Sequence, residues 1–189
     1  MPSFLRASVV LILSLLAALS VPSAGQSFCE NELYNLQNMF ANAIATNGRS
    51  CSTEFVPRFA ANATVRSPIF TEGKGAQAAM NACQSVVLEP RYQKYCVETF
   101  TFRYVSVTLA ENPDDSAPWC AGTGVFTIGL NNLFNASKSC LFSYTEVDTL
   151  AMQAVKPHLY TYMTTFYDSA TFTTDFVNCA EEICLSPQK

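Results

Sequence analysis

The sequence predicts an α+β domain in which helices come first and long antiparallel strands follow. Three observations predict it. Leu33, Leu36, Phe40, Ala43 and Ile44 recur at helical spacing. The block from Phe55 to Met80 reads as a helix, a short strand, a glycine turn and another helix. Between Val97 and Asp168, apolar and polar residues then alternate in long runs, the pattern of half-buried strands.

The first helix should end at Asn47-Gly48. Ser52 can cap a second helix, with Glu54 near the positive end of its dipole and Phe55, Phe59 and Ala60–Ala61 as its apolar stripe. Pro57 lies beyond the first turn, so this helix starts late or kinks. Thr64–Phe70 is β-branched and apolar, and Pro68 breaks it as at a sheet edge or bulge. Gly73 and Gly75 bracket a tight turn before a third helix over Ala76–Ala82, which the stretch Asn81–Pro90 closes.

Among the strands, Phe100, Phe102 and Tyr104 share one face, and Val105, Val107 and Leu109 then take the other. That phase change predicts a bulge or a strongly bent sheet. Residues 112–117 make a polar turn. Trp119–Leu130 is the next strand, with Gly122 and Gly124 permitting it to bend. Asn131–Lys138 is a hairpin loop, and Ser139–Met152 and Leu159–Asp168 are two more strands joined near Lys156-Pro157. Thr174–Leu185 reads as a short tail helix carrying Cys179 and Cys184. A short tail helix does not stay folded alone, so these cysteines should bond back to the helical half.

Arg6, the apolar run Val9–Leu19 and the small residues Ser20–Gly25 read as a secretory leader cleaved after Ser23 or Gly25. The run is short for a bilayer span. Residues 26–189 then form one secreted or lumenal domain with no membrane contact of its own. Without Arg6, ten basic residues face fifteen acidic ones. With no Lys/Arg cluster, nucleic acid and anionic membrane are poor partners.

The eight cysteines all follow the leader, which implies disulfides. A metal site has little support, because no Cys-x-x-Cys occurs and His158 is the only histidine. No other cofactor is expected, since no Walker loop or dinucleotide glycine fingerprint is present. If the loop after Trp119–Leu130 centres near Leu130, Cys120 and Cys140 face each other across a hairpin and should be bonded. Asn62-Ala-Thr64 and Asn135-Ala-Ser137 are glycosylation acceptors in a eukaryotic host.

The stretch FVPRFAANATVRSPIFTEGKGAQAAM, with its Ala-Thr-Val-x-x-Pro strand, resembles the nuclear-transport-factor-2-like superfamily, which includes the SnoaL-like cyclases and the ketosteroid isomerases. The resemblance covers about residues 31–168, and the tail 169–189 departs from it. It implies a cone: three N-terminal helices packed on a strongly curved antiparallel sheet, a pocket between them, and dimerisation through the sheet. The isomerases keep a proton-shuttling aspartate where this chain has Ser67, ahead of Pro68. A serine hydroxyl is no general base near neutral pH without another base. With only His158 present, the histidine–aspartate dehydratases of the superfamily are a poor match too.

The remaining chemistry is the pair Glu146 and Asp148. On Ser139–Met152, the residues Phe142, Tyr144, Glu146 and Asp148 alternate onto one face. If that face lines the pocket, Asp148 falls near where the isomerases hold a protonated aspartate, and burial would raise its pKa. A register one residue out turns both carboxyls to water, where they would only aid solubility. The last strand supplies Tyr160, Tyr162, Thr164 and Phe166 on one face, opposite Leu159, Met163 and Tyr167. With Ser67 at the rim, Phe142, Tyr144, Tyr162 and Phe166 are the expected ligand wall.

Three functions are open. One is a pocket protein binding a small hydrophobic molecule or a protein partner. The second is a cyclase, isomerase or dehydratase using Asp148 and Glu146 as acid–base groups. The third is an interaction protein that forms a homodimer through its sheet. Ser67 and the single histidine favour the first.

Overall fold

A computed structural model describes residues 24–67, 70–110 and 118–185. Of the leader expected over residues 1–25, only the last two are among these. Pro68 and the turn at 112–117 lie outside them as well.

Helix α1 (Ala24–Ala45) buries Leu33, Leu36, Phe40, Ala43 and Ile44 on one stripe. Asn47 and Gly48 stop it with positive φ, and the Gly48 N–H donates to the Ala43 carbonyl at 2.7 Å. The second helix is a correction. It shrinks to a π-type turn at Cys51–Phe55 and one 3-10 turn at Val56–Arg58. Pro57 has no N–H to continue the ladder and its ring crowds the preceding turn. Phe59, Ala60 and Ala61, read as helix, therefore open strand β1 (Phe59–Ser67).

Strand β2 (Phe70–Lys74) leads into α2 (Gly75–Ser85). Gly75 has φ +69°, and a Cβ there would sit 2.6 Å from the Ala61 carbonyl oxygen, so only glycine fits this junction. A single-turn α3 (Pro90–Gln93) precedes β3 (Cys96–Ala110), β4 (Trp119–Asn132), β5 (Ser139–Met152) and β6 (Tyr160–Phe166). Helix α4 (Ser169–Cys184) follows at once. It starts earlier than expected because Asp168 caps it, accepting from the Thr171 N–H at 3.1 Å and the Thr171 hydroxyl at 2.7 Å.

The six strands form one sheet in the order β2-β1-β6-β5-β4-β3. Every neighbouring pair is antiparallel except β1 with β6, which run parallel. The phase change read in β3 is a bulge, where the pairing with β4 slips between Tyr104 and Ser106. The sheet is curved and unclosed. Its inner face packs on α1, α2 and α4. Gly122 and Gly124 leave room for rings on that face: a Cβ at Gly122 would lie 2.6 Å from the Tyr104 ring, and one at Gly124 would strike Phe102.

Four disulfides pin this arrangement: Cys29–Cys120, Cys51–Cys83, Cys96–Cys184 and Cys140–Cys179. The Cys120–Cys140 bond expected from sequence is wrong. Asn131 pairs with Ser139, so the hairpin turns near Asn135 and not Leu130. Cys140 then faces Leu130, and Cys120 faces Leu150 at the far end of β5. Cys179 and Cys184 do anchor the tail, but to β5 and β3 of the sheet and not to the helical half. Among the described residues, no helix is long and apolar enough to cross a membrane.

Candidate functional site

The pairing of β5 with β6 sets the site. Asp148 pairs with Thr165, so Thr165, Met163 and Tyr167 face inward with Glu146 and Asp148. Both carboxyls are buried: Glu146 is 5% exposed and Asp148 is fully enclosed.

Helix α1 supplies the group that ties them together. The Gln37 amide donates to Glu146 Oε1 at 2.8 Å and to Asp148 Oδ2 at 2.7 Å. Asp148 also accepts from the Tyr104 hydroxyl at 2.7 Å, at Oδ2, and from the Thr165 hydroxyl at 3.0 Å, at Oδ1. Burial pushes both carboxyls above the usual range. For Glu146, the Asp148 charge and their mutual hydrogen bond add to burial, and its pKa rises well above that range. For Asp148, bonds from Glu146, Tyr104, Thr165 and Gln37 pull back against burial. Both shifts favour the protonated form, so the two carboxyls are placed to share one proton between them. Tyr104 cannot ionise beside them, since burial and Asp148 drive its pKa far up, and it remains a donor.

Glu146 forms part of a chamber between the sheet and the helices. The space around it is about 460 Å³ when the solvent at its opening is counted. The part open to the centre of a water-sized sphere is about 30 Å³, enough for about two waters. The smaller figure governs what fits without side-chain movement. Gln37 and Phe40 face the chamber from α1, Ala82 from α2, and Val86 from just after it. Phe100, Phe126 and Ile128 face it from β3 and β4, Ser67 from the end of β1, and Phe172 from α4.

The sequence-predicted residues divide. Glu146 and Ser67 line the chamber, and Asp148 stands behind Glu146. Phe142 and Tyr144 share their inward face but back the wall. Phe142 packs under α4, and Tyr144 stacks on Phe126 with ring centroids 5.6 Å apart. The Tyr144 hydroxyl donates to Asp175 Oδ2 at 2.7 Å, and burial followed by that carboxylate raises its pKa to about 12.

Tyr162 and Phe166 are corrections. They lie on the opposite face, because residues 163, 165 and 167 take the inner one. Tyr162 stacks on Trp119 at 5.5 Å, and Phe166 is 56% exposed beside Val147. Asn62 and Asn135, the two acceptor asparagines, are exposed. His158 is remote from the chamber: its Nδ1 lies 2.9 Å from the Gln153 carbonyl and its ring packs on Phe28. Among the described residues, no three His, Cys, Asp or Glu side chains converge to hold a metal ion.

Sequence reasoning missed Gln37, Tyr104, Thr165, Tyr167, Phe126 and Phe172. One signal was there to find. Gln37 is polar in the middle of the Leu33–Phe40 apolar stripe, which predicts a buried amide needing partners.

By sequence, no protein-family model and no curated protein matches the chain. By structure, it is similar to Aln2 from a Streptomyces species, at 13% identity and TM-score 0.52, over 82% of this chain and 99% of that one. It is similar also to ActVI-ORFA from Streptomyces coelicolor, at 12% identity and TM-score 0.51, over 74% and 97%. The fold is SnoaL-like. At these identities the likeness fixes the SnoaL-like architecture and leaves the chemistry to the residues of the chamber.

Proposed function

We propose that the protein binds a small, largely apolar molecule in the chamber, with Glu146 as the polar anchor, and that it does so as a secreted protein. One observation carries the reading. Among the described residues lining the chamber, Glu146 is the one carboxyl, and apart from Gln37, Ser67 and Thr165 the rest of the wall is aromatic or aliphatic. Orientation of an apolar ligand needs few, well-placed polar groups, and the Gln37–Asp148–Tyr104 network holds Glu146 in one position. The four disulfides fit an oxidising compartment. Asn62 and Asn135 are accessible for glycosylation there.

A screen of small apolar compounds, read by thermal shift and then by titration, tests this. A ligand should lose affinity when Glu146→Gln is made or when Phe126→Ala opens the wall. Ligands indifferent to both changes would refute it.

A second reading has its own observation. Two carboxyls sharing one proton are equipped to move it, which suits a proton-transfer enzyme. Glu146→Gln would then cut turnover by about 10²–10⁴-fold while a ligand still binds. Asp148→Asn should act through Glu146, by changing where the proton sits. On the outer face of the sheet, Leu141, Val147 and Phe166 are 72%, 41% and 56% exposed. They offer a surface for a partner or a second copy, which sedimentation of Phe166→Glu beside the native chain would test.

A further inference from the structure

The β4–β5 hairpin holds two adjacent apolar side chains out in water: Leu133 is 57% exposed and Phe134 is 65%. Their loop is tied down. Asn132 Oδ1 accepts from the Phe134 N–H at 2.8 Å and from the Asn135 N–H at 2.9 Å. The Leu133 N–H donates to the Tyr95 carbonyl at 2.8 Å, and the Lys138 N–H donates to the Asn135 carbonyl at 2.9 Å. Among the described residues, the one ring contact of Phe134 is with Tyr95, at 6.3 Å between centroids. A fixed loop that presents a phenylalanine and a leucine side by side leaves apolar surface for something to cover.

The next residue is the acceptor of Asn135-Ala-Ser137. Its Oδ1 accepts from the Ser137 N–H at 3.1 Å and from the Ser137 hydroxyl at 2.7 Å, so the chain turns about the amide. Its Nδ2, the atom that a sugar joins, has no hydrogen-bond partner among the described residues, and the residue is exposed. Asn62 is placed differently. It lies in β1, where Thr64 pairs with both Lys74 and Tyr162 and the backbone stays extended.

We propose that Asn135 carries an N-linked glycan whose first sugar lies over Phe134 and Leu133, so that the exposed tip is the seat of that sugar. This rests on the reading that the protein is secreted, and adds what covers the hairpin. The donor is an oligosaccharide linked to a polyprenyl diphosphate. Asn135 Nδ2 bonds to the anomeric carbon, and the bond from that carbon to the diphosphate oxygen breaks. The diphosphate leaves with the electron pair, and the amide gives up one proton. A pyranose ring carries an apolar C–H face, so laying it on a phenyl ring takes both from water while its hydroxyls stay solvated. The linkage one residue away keeps the sugar beside the ring, so the contact costs little further ordering.

The test is expression of the full chain with its leader in a eukaryotic secretory host that builds high-mannose glycans. Exposed Asn62 is changed (Asn62→Gln) so that any sugar reports on Asn135 alone. Peptide mapping of the secreted chain should find Asn135 modified. Trimming with an endoglycosidase that leaves one N-acetylglucosamine should keep the thermal midpoint. Treating a parallel sample with a peptide-N-glycosidase, which removes the whole glycan, should lower it by about 2–4 °C, the size of one aromatic contact in a chain of this length. In Phe134→Ala, whose native side chain is mostly in water, that drop should vanish. The aspartate that the enzyme leaves at position 135 is common to both chains, so the comparison isolates the ring contact. A secreted chain unmodified at Asn135 overturns the proposal. So does a midpoint indifferent to the glycan, or a drop equally large in Phe134→Ala. A chain that stays in the cytosol with its leader uncut strikes the secretion reading, and this proposal with it.

Discussion

Glu146→Gln should make the protein more stable at neutral pH and flatten its stability profile. An unfolded glutamate ionises near pH 4.5, whereas folded Glu146 keeps its proton well above that. Between those two values the native state binds the extra proton, so native stability falls as pH rises. Each such group contributes a slope of up to about 1.4 kcal/mol per pH unit for as long as the folded chain alone holds the proton. Glu98 adds to the same slope, since burial raises it to about 8 against one backbone bond from Leu88 at 3.0 Å. Glutamine has the shape of the protonated acid. Its carbonyl can accept from Gln37 and its amide can donate to Asp148, so the network survives without the titration. Urea unfolding at several pH values, with the disulfides intact, measures this. The native chain should lose stability from pH 5 to pH 8, Glu146→Gln should lose less, and Glu146→Gln/Glu98→Gln should lose least. Stability that rises over that range in the native chain, or a slope unchanged in both variants, would refute the shared-proton account.

Other outcomes follow from the same contacts. Gln37→Leu strips a donor from both carboxyls and should cost about 1–3 kcal/mol, read by urea unfolding, with the Glu146 titration moving further up by NMR. Gly122→Ala drives a Cβ into the Tyr104 ring at 2.6 Å and should destabilise by about 1–3 kcal/mol, weakening the Tyr104 bond to Asp148. Replacing Cys140 and Cys179 together by serine should cost about 2–5 kcal/mol and speed hydrogen exchange in α4, the helix that carries Phe172.

Local patterns made the order of elements legible. The α1 stripe, the β3 phase change and the ends of β5 are all short-range signals, and each appears in the fold where the residues placed it. That Phe142, Tyr144, Glu146 and Asp148 share one face of β5 was legible too, but whether that face met the chamber or water was not. What failed depended on distant registration. The Asn131–Lys138 loop was legible from its local residues, but the pairing was centred near Leu130 and not Asn135, and that shift of five residues dissolved the Cys120–Cys140 pair. On β6, one residue of register decided between Tyr162 and Phe166 on one side and Met163, Thr165 and Tyr167 on the other. Phe172 was out of reach for a different reason. Its position comes from the fold of a tail that local propensity placed only in part, and whose pinning to the sheet depends on two disulfides.

That pinning bears on how the chamber persists. A buried pair carrying net charge, next to space that side chains do not fill, costs stability that an apolar core would keep. The neutral donors around Asp148 recover part of it, and among the described residues no salt bridge reaches the pair. The disulfides span loops of 32 to 91 residues, and each restrains the unfolded chain by about 4 kcal/mol in the loop-entropy account. Two of them hold α4 against the sheet beyond the chamber, at Cys179 and Cys184. The end of α4 bearing Phe172 is held by weaker means, the Asp168 cap and the Tyr144–Asp175 bond. The disulfides therefore fix the distal half of α4, and Phe172 is set against the chamber by the cap, by that bond and by its ring contacts with Phe126, Tyr144, Tyr167 and Phe176.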